Sequence, residues 1–148
     1  MTTRVHATSV ALKARSRTWQ VVLLRGPSGA GKSDLAARLI EAGGRLVADD
    51  QTELTRHGRR LMATCPKTLA GLLEVRGVGI VKLGRGQLVA RAPVALLIDL
   101  VPPQRIERLP EPARESLLGI TLPVLALAPF EASASAKLHL ALGQIAAA

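Results

Sequence analysis

The stretch Trp19–Ser33, with the sequence WQVVLLRGPSGAGKS, contains the pattern that decides the fold. It begins with a short apolar run, typical of a buried strand, and a glycine-rich segment follows at once. From Lys32 onward the apolar residues recur at helical spacing, until two glycines, Gly43 and Gly44, predict the end of the helix. A strand, a glycine loop and a helix in this order predict an α/β fold.

The glycine-rich segment matches the phosphate-binding pattern GxxxxGK[ST]. Its glycines let successive backbone N–H groups point at phosphate oxygens, and the helix N-terminus adds partial positive charge. We predict that Lys32 faces the β- and γ-phosphates of a nucleotide and that the Ser33 hydroxyl binds Mg²⁺. A chance glycine-rich turn is the alternative, and the flanking strand and helix argue against it. The predicted nucleotide-binding residues are Gly26, Pro27, Ser28, Gly29, Ala30, Gly31, Lys32 and Ser33.

Two adjacent carboxylates, Asp49 and Asp50, follow the next predicted strand, RLVA. The strand–helix–strand order makes the two strands parallel if they belong to one sheet, so their carboxyl ends lie at the same edge. We therefore expect the pair within one or two strand spacings of the phosphate loop, about 5–10 Å. There a carboxylate could hold Mg²⁺ or orient a nucleophile, whereas a solvated Asp-Asp turn is the alternative.

Weaker candidates lie further along the chain. The segment EVRGVG begins at Glu74, which could join Ser33 at a metal ion, while Arg76 could contact a phosphate or hold Glu74. A Glu–Arg surface pair beside a tight turn is an equally good interpretation, because such pairs are common. In the Pro-rich segment PPQRIERLPEP, an arginine such as Arg108 could act as an arginine finger, or could simply be solvated.

The rest of the chain alternates short apolar runs with turn residues. We predict strands at VHATSVAL, RLMAT, IVKL, PVALLIDL and TLPVLAL, and turns at KARSRT, RHGR, RGVG and GRGQ. Pro66 is expected to open a helical turn through KTLAGLL. The C-terminal SASAKLHLALGQIAAA predicts a helix capped by Ser133 or Ser135, although its leucines also alternate as in a strand.

Length and composition limit the function classes. The 148 residues suit one domain, and 48% hydrophobic with 21% charged residues is typical of a globular protein. An aromatic content of 1% requires an aliphatic core and argues against stacking of single-stranded nucleic acid on rings. The single cysteine, Cys65, excludes an internal disulfide and a cysteine-based zinc site. A net charge of +9 favours anionic partners without choosing among them.

The N-terminal segment MTTRVHATSVALKARSRT is basic, rich in Ser and Thr, and free of acidic residues, as in an organellar presequence. We favour a strand followed by an exposed turn, because a domain of this size has few residues to spare. No apolar run reaches membrane-spanning length or resembles a secretion signal. We therefore expect a cytoplasmic protein without a membrane partner.

Two segments, RGPSGAGKSDLAARLIEAGGRLVADDQTEL and LAGLLEVRGVGI, resemble the C-terminal catalytic domain of the HPr kinase/phosphorylase family of the bacterial sugar phosphotransferase system. HATSVAL near the start is a weaker match. The combination is far more specific than a P-loop alone. The resemblance implies one catalytic domain over residues 1–148, with an α/β, phosphoenolpyruvate-carboxykinase-like P-loop fold, a mixed sheet and few helices.

The resemblance also implies a function, which is the ATP- and Mg²⁺-dependent phosphorylation of a serine on the phosphocarrier protein HPr. Asp49 would accept the serine proton, and Lys32, His6 and Arg108 would complete the catalytic set. The implied metal ligands are Ser33, Glu74 and Asp50. No nucleic-acid partner is expected, and since the family forms hexamers, a homo-oligomer is one expectation.

The sequence departs from the family pattern in two places. Residues 1–148 are expected to lack a counterpart of the family's usual N-terminal domain, and the glycine-rich segment after GVGI is shortened to KLGRGQLVARAP. Because the family uses that segment in phosphorolysis, we expect a kinase with a doubtful reverse reaction. The alternatives are a small-molecule P-loop kinase and a non-enzymatic ATP-binding regulatory protein.

Overall fold

The computed structural model describes residues 1–13 and 17–147, in which eleven strands and two α-helices occur. The strands are β1 Thr2–Val5, β2 Ala7–Lys13, β3 Trp19–Arg25, β4 Arg45–Ala48, β5 Thr52–His57, β6 Arg60–Thr64, β7 Leu72–Val75, β8 Gly79–Lys82, β9 Arg91–Leu100, β10 Ala113–Leu117 and β11 Ile120–Leu127. The helices are α1 Lys32–Glu41 and α2 Ala134–Ala147, with single 3₁₀ turns at Lys67–Leu69, Arg85–Gln87 and Pro103–Arg105.

Most strands belong to one mixed sheet in the order β1-β5-β6-β9-β3-β2-β4, in which β11 also pairs with β9, and β10 with β11. The strands β3, β9 and β11 run parallel, and the remaining pairs are antiparallel. The strands β7 and β8 form a separate hairpin. The predicted α/β fold with a mixed sheet and few helices is confirmed.

The unit β3–α1–β4 is the strand–helix–strand pattern that the sequence predicts. The strand β2 lies between β3 and β4 and is antiparallel to both, so β3 and β4 run in the same direction. The helix α1 ends at the glycine pair, where Gly43 has a φ of 105° and its N–H donates to Ile40. The Gly44 N–H donates to Leu39, which completes a Schellman cap. The segments after β3 and β4 therefore leave the sheet at the same edge.

The core is aliphatic, as the composition requires, and lies on both faces of β3. Val22 and Leu24 pack with the buried leucines of α1 and α2. Val21 and Leu23 on the opposite face pack with Leu54 of β5 and with residues of β6. Because its side chains alternate between two buried layers, β3 is held rigidly at the point where the glycine loop begins.

Five elements differ from the sequence predictions, and two of them, β5 and β7, are strands that were not predicted. The N-terminal strand is broken at His6, since β1 pairs with β5 while β2 pairs with β3 and β4. The helical turn after Pro66 is a single 3₁₀ turn, because Leu72 already begins a strand. Strand β10 was also not predicted, since its sequence ARESL is polar and mostly exposed.

The C-terminal segment is helical and not a strand. Its leucines at 138 and 142 are buried, whereas Leu140 is 71% exposed, as four-residue spacing on a helix requires. The helix begins at Ala134, so Ser133 is the residue directly before it. The predicted turn KARSRT includes residues 14–16, which lie outside the described residues. Among the described helices, none has the length and apolar character needed to cross a membrane.

Candidate functional site

The phosphate loop, residues 26–33, joins β3 to α1 at the edge where β3 ends. Lys32 is the first residue of α1 and is only 6% exposed. Its ammonium donates hydrogen bonds to the carbonyl oxygens of Gly26 (2.6 Å) and Pro27 (3.0 Å). The loop therefore curls around the lysine and holds its positive charge in place.

Two glycines are required by the shape of this loop. Gly31 has a φ of 101°, in the left-handed region that side chains disfavour, and it directly precedes α1. A Cβ atom on Gly26 would lie 2.9 Å from the Cβ atom of Ala30, so a side chain at Gly26 would open the loop. The loop ends at the N-terminus of α1, whose first N–H groups and dipole suit phosphate oxygens. The cradle therefore fits a nucleotide phosphate.

Asp49 lies directly beside the phosphate loop. Its Oδ1 accepts hydrogen bonds from the hydroxyls of Ser33 (2.8 Å) and Thr8 (3.0 Å). Its Oδ2 accepts a hydrogen bond from the backbone N–H of Glu74 (3.0 Å). The contact with Ser33 shows that the ends of β3 and β4 share an edge, as the sequence pattern predicts. All three donors are uncharged, so they orient the carboxylate without neutralising it.

Asp50 contacts His6. Its Oδ1 lies 2.6 Å from Nε2 of His6, and both side chains are exposed. The backbone of Asp50 has a φ of 66°, and its N–H donates to the Thr8 hydroxyl (3.0 Å). Two consecutive carboxylates therefore have different partners, because Asp49 contacts the phosphate loop and Asp50 contacts the histidine.

The other predicted site residues lie at the border of this centre or apart from it. Glu74 contributes its backbone N–H to Asp49, while its side chain is exposed. Arg76 is exposed in the turn between β7 and β8. Arg108 is exposed in the segment 101–112 and has no hydrogen bond or ion pair with a described residue. The structure thus brings together Lys32, Ser33, Asp49, Asp50, His6 and the backbone of Glu74, and Arg108 has no hydrogen bond or ion pair with any of them.

Thr8 is a site residue that sequence reasoning missed. It is fully buried in β2, and its hydroxyl donates to Asp49 while it accepts from the Asp50 N–H. One threonine in a predicted strand carries no chemical signal of its own. The information that identifies it is the pairing of β2 with β4, in which Ser9 lies opposite Ala48. The sequence alone does not show this pairing.

A charged cluster lies on the other side of the phosphate loop and was also missed. Arg25, the last residue of β3, donates to Asp99 (2.8 Å) and to both carboxylate oxygens of Glu115 (2.6 and 2.9 Å). The hydrogen bonds to Glu115, followed by those to Asp99, raise the pKa of Arg25, and the guanidinium lowers the pKa of Glu115. The cluster ties β3, β9 and β10 together directly before Gly26.

Cys65 is half-buried near this edge and not part of the core proper. Burial raises the pKa of its thiol, and the negative charges of Glu53 and Asp49 add to this effect. The thiol is therefore kept neutral and is a poor nucleophile.

The oxygen donors at the loop suit Mg²⁺. The Ser33 hydroxyl donates to Asp49, which is next to Asp50 in the chain and 3.0 Å from the backbone N of Glu74, and Mg²⁺ commonly binds one or two protein oxygens together with substrate phosphates. Within residues 1–13 and 17–147, no three side chains of His, Cys, Asp or Glu converge on a metal position. This donor set fits a metal ion that arrives with the nucleotide, and not an all-protein cage.

The fold and the loop define a mixed α/β domain of the phosphoenolpyruvate-carboxykinase-like P-loop type. Residues 16–137 match the family model of the HPr Serine kinase C-terminal domain. The chain belongs to this family, and the resemblance noted in the sequence is confirmed.

Solved and curated relatives agree with this assignment. The structure is similar to that of the HPr(Ser) kinase/phosphatase from Coxiella burnetii, with a TM-score of 0.77, 26% sequence identity, and coverage of 98% of this chain and 94% of that chain. The HPr kinase/phosphorylase of Geobacillus thermodenitrificans is 36% identical over 72% of this chain and 37% of the relative. That of Acidovorax sp. (strain JS42) is 40% identical over 70% and 35%, respectively. The chain spans about a third of the length of these two curated relatives.

Proposed function

We propose that this chain is a protein serine kinase that uses ATP and Mg²⁺ to phosphorylate an HPr-like phosphocarrier protein, and that residues 1–148 form one catalytic domain. The observation that carries the proposal is the 2.8 Å hydrogen bond between the Ser33 hydroxyl and Asp49. It puts an oriented carboxylate next to the loop that suits phosphates. The names of the relatives support a serine of HPr as the acceptor.

The proposed reaction depends on positioning and on charge neutralisation. The loop N–H groups and Lys32 hold the β- and γ-phosphates and spread the charge of the transferred group. Asp49 accepts the proton of the serine hydroxyl as that oxygen attacks the γ-phosphorus. The serine O–P bond forms while the bond to the ADP oxygen breaks, and the proton ends on Asp49.

The remaining site residues have supporting roles in this proposal. Mg²⁺, when bound with ATP, supplies Lewis-acid charge neutralisation at the phosphate oxygens. Ser33 is the proposed metal ligand on the loop, with the exposed carboxylates of Asp50 and Glu74 as further ligands. His6 acts through its pair with Asp50, and Arg108 is assigned to the transferred phosphoryl group.

Mass spectrometry of HPr tests this proposal directly. Purified protein, MgATP and HPr should give a single new phosphate on a serine-containing HPr peptide, and HPr with that serine changed to alanine should stay unmodified. Phosphate found only on small metabolites would contradict the proposal and indicate a small-molecule kinase. Tight ATP binding without any transfer of phosphate would also contradict the proposal and indicate a non-enzymatic regulatory protein.

The same proposal covers direction, location and assembly. We assign the forward reaction as dominant, because only a short segment joins β8 to β9, at residues 83–90. Phosphorylated HPr incubated with inorganic phosphate should therefore lose its phosphate far more slowly than it gains it from ATP.

We assign the protein to the cytoplasm, without nucleic-acid or membrane partners. Light scattering tests whether it forms a homo-oligomer.

A further inference from the structure

The loop that follows β11 lies beside the phosphate loop. Because β3, β9 and β11 are parallel neighbours, their carboxyl ends share one edge of the sheet. The phosphate loop follows β3, and Phe130 comes three residues after the end of β11 at Leu127. Ligands of open α/β sheets bind at this edge, in the crevice outside the carboxyl ends of the strands. Phe130 is therefore positioned in the region where a bound nucleotide would extend from the loop.

The phenyl ring of Phe130 contacts the phosphate loop and yet remains open. A Cβ atom added to Gly31 would lie 2.9 Å from Cζ and 3.1 Å from Cε1 of the ring, so the ring edge packs against the last glycine of the loop. The residue is nevertheless 69% exposed. An apolar ring that touches a phosphate loop and keeps most of its surface open has contact area left for a ligand.

Arg38 fixes the segment that carries this ring. Its guanidinium donates to the carbonyl oxygens of Pro129 and Glu131, the two neighbours of Phe130. The same guanidinium pairs with Asp34 at 2.9 Å, so it is anchored within α1. The ring is thus attached to the helix that begins with the phosphate-binding lysine. A backbone held in this way loses little conformational freedom when the ring binds a ligand.

We propose that Phe130 is the platform on which the base of a nucleoside triphosphate stacks while its phosphates occupy the loop. The proposal rests on the proposed nucleotide-binding function and assigns the base-binding residue. Nucleobases stack on aromatic side chains because every base has a π-face. The other aromatic residue, Trp19, lies at the opposite end of β3 in cation–π contact with Lys13 and Arg45. Of the phenylalanine and tryptophan side chains in the described residues, Phe130 is therefore the one that lies beside the phosphate loop.

Equilibrium binding of ATP and of inorganic tripolyphosphate to Phe130→Ala tests this proposal. Tripolyphosphate has the phosphates and no base. Removal of the ring should weaken ATP binding about tenfold and leave tripolyphosphate binding within about twofold of the wild type. Phe130→Trp should keep ATP binding. Leu140→Ala removes a side chain of similar exposure (71%) from α2 and should alter neither ligand.

Two results would overturn the proposal. Unchanged ATP binding by Phe130→Ala would show that no base stacks on the ring. Equal weakening of both ligands would show that the ring only supports Gly31 and the loop. The binding measurement needs no acceptor protein. A wild-type protein that fails to phosphorylate HPr would refute the proposed function, but the binding of ATP and tripolyphosphate to Phe130→Ala would still test the base platform.

Discussion

Two carboxylate-bearing regions flank the phosphate loop, and they are built differently. Beside β2 and β4, Asp49 accepts hydrogen bonds from two hydroxyls and one backbone N–H. Beside β9 and β10, Asp99 and Glu115 are both paired with Arg25. The first region orients a carboxylate with neutral donors, and the second pairs both of its carboxylates with one guanidinium.

The difference indicates which region can carry out chemistry. The guanidinium of Arg25 occupies both oxygens of Glu115 and lowers its pKa, so Glu115 is a poor acceptor for a substrate proton. Neutral donors hold Asp49 in one orientation, and within the described residues it has no ion-pair partner. We therefore expect substitutions in the first region to change the rate of transfer, and those in the second to change stability.

The largest effect is expected for Lys32→Ala, which removes the charge held between the two regions. Transfer should fall by about 10³-fold, and ATP binding should weaken, because the phosphates lose their cationic partner. Calorimetry with MgATP and a transfer assay measure the two effects. Lys67→Ala, at an exposed lysine, is the control and should change neither. Normal ATP binding by Lys32→Ala is incompatible with the assigned loop.

A smaller effect on rate is expected for Thr8→Val, which keeps the shape of the side chain and removes its hydroxyl. Asp49 then loses one of the donors that fix its orientation, and kcat should fall about 10- to 100-fold with KM for ATP unchanged. Thr8→Ser retains the hydroxyl and should restore most of kcat. If valine and serine give equal rates, Thr8 does not position Asp49.

The second region should respond in stability and not in rate. Arg25→Gln leaves two carboxylates without their cation and should lower the free energy of unfolding by about 1–3 kcal/mol, measured in urea. Arg4→Gln breaks the more exposed pair with Glu53 and should cost at most about 0.5 kcal/mol. A stable Arg25→Gln protein with no transfer activity would contradict the claim that the second region acts on stability and not on rate.

The smallest effect is a dependence of stability on pH. Glu115 has a folded-state pKa below its ordinary value of 4.5, so its ion pair stabilises the fold above about pH 4.5. This contribution is lost as the pH falls through the lower folded-state value. The difference in unfolding free energy between the wild type and Glu115→Gln should be below about 1 kcal/mol, since the side chain is 42% exposed, and it should shrink as the pH falls from 5 to well below 4.5. A difference that is constant over this range argues against the ion pair as its source.

The central part of the fold could be predicted because its signals are local. Strand β3, helix α1 and strand β4 follow from an apolar run, helical spacing and a glycine cap within about thirty residues. The same unit predicts that Asp49 lies near the loop. Strand β10 could not be predicted, because the polar ARESL pairs only with β11 and has little apolar pattern.

The finer architecture of the site depends on contacts between distant residues. Thr8 and Asp49 are 41 positions apart, and Arg25 and Glu115 are 90 positions apart. Sequence spacing carries no signal for such pairs without the strand order that joins them. The separate orientations of Asp49 and Asp50 depend on a left-handed backbone at Asp50, which an aspartate adopts only occasionally.

The central claim is that Asp49 accepts the serine proton beside the phosphate loop. Single-turnover phosphorylation of HPr by the wild type and by Asp49→Asn, with the Kd for ATP measured in parallel, tests it most directly. We predict transfer that is about 10²- to 10⁴-fold slower in Asp49→Asn, with the Kd for ATP within about twofold. Equal transfer rates in the two proteins would contradict the assigned role of Asp49.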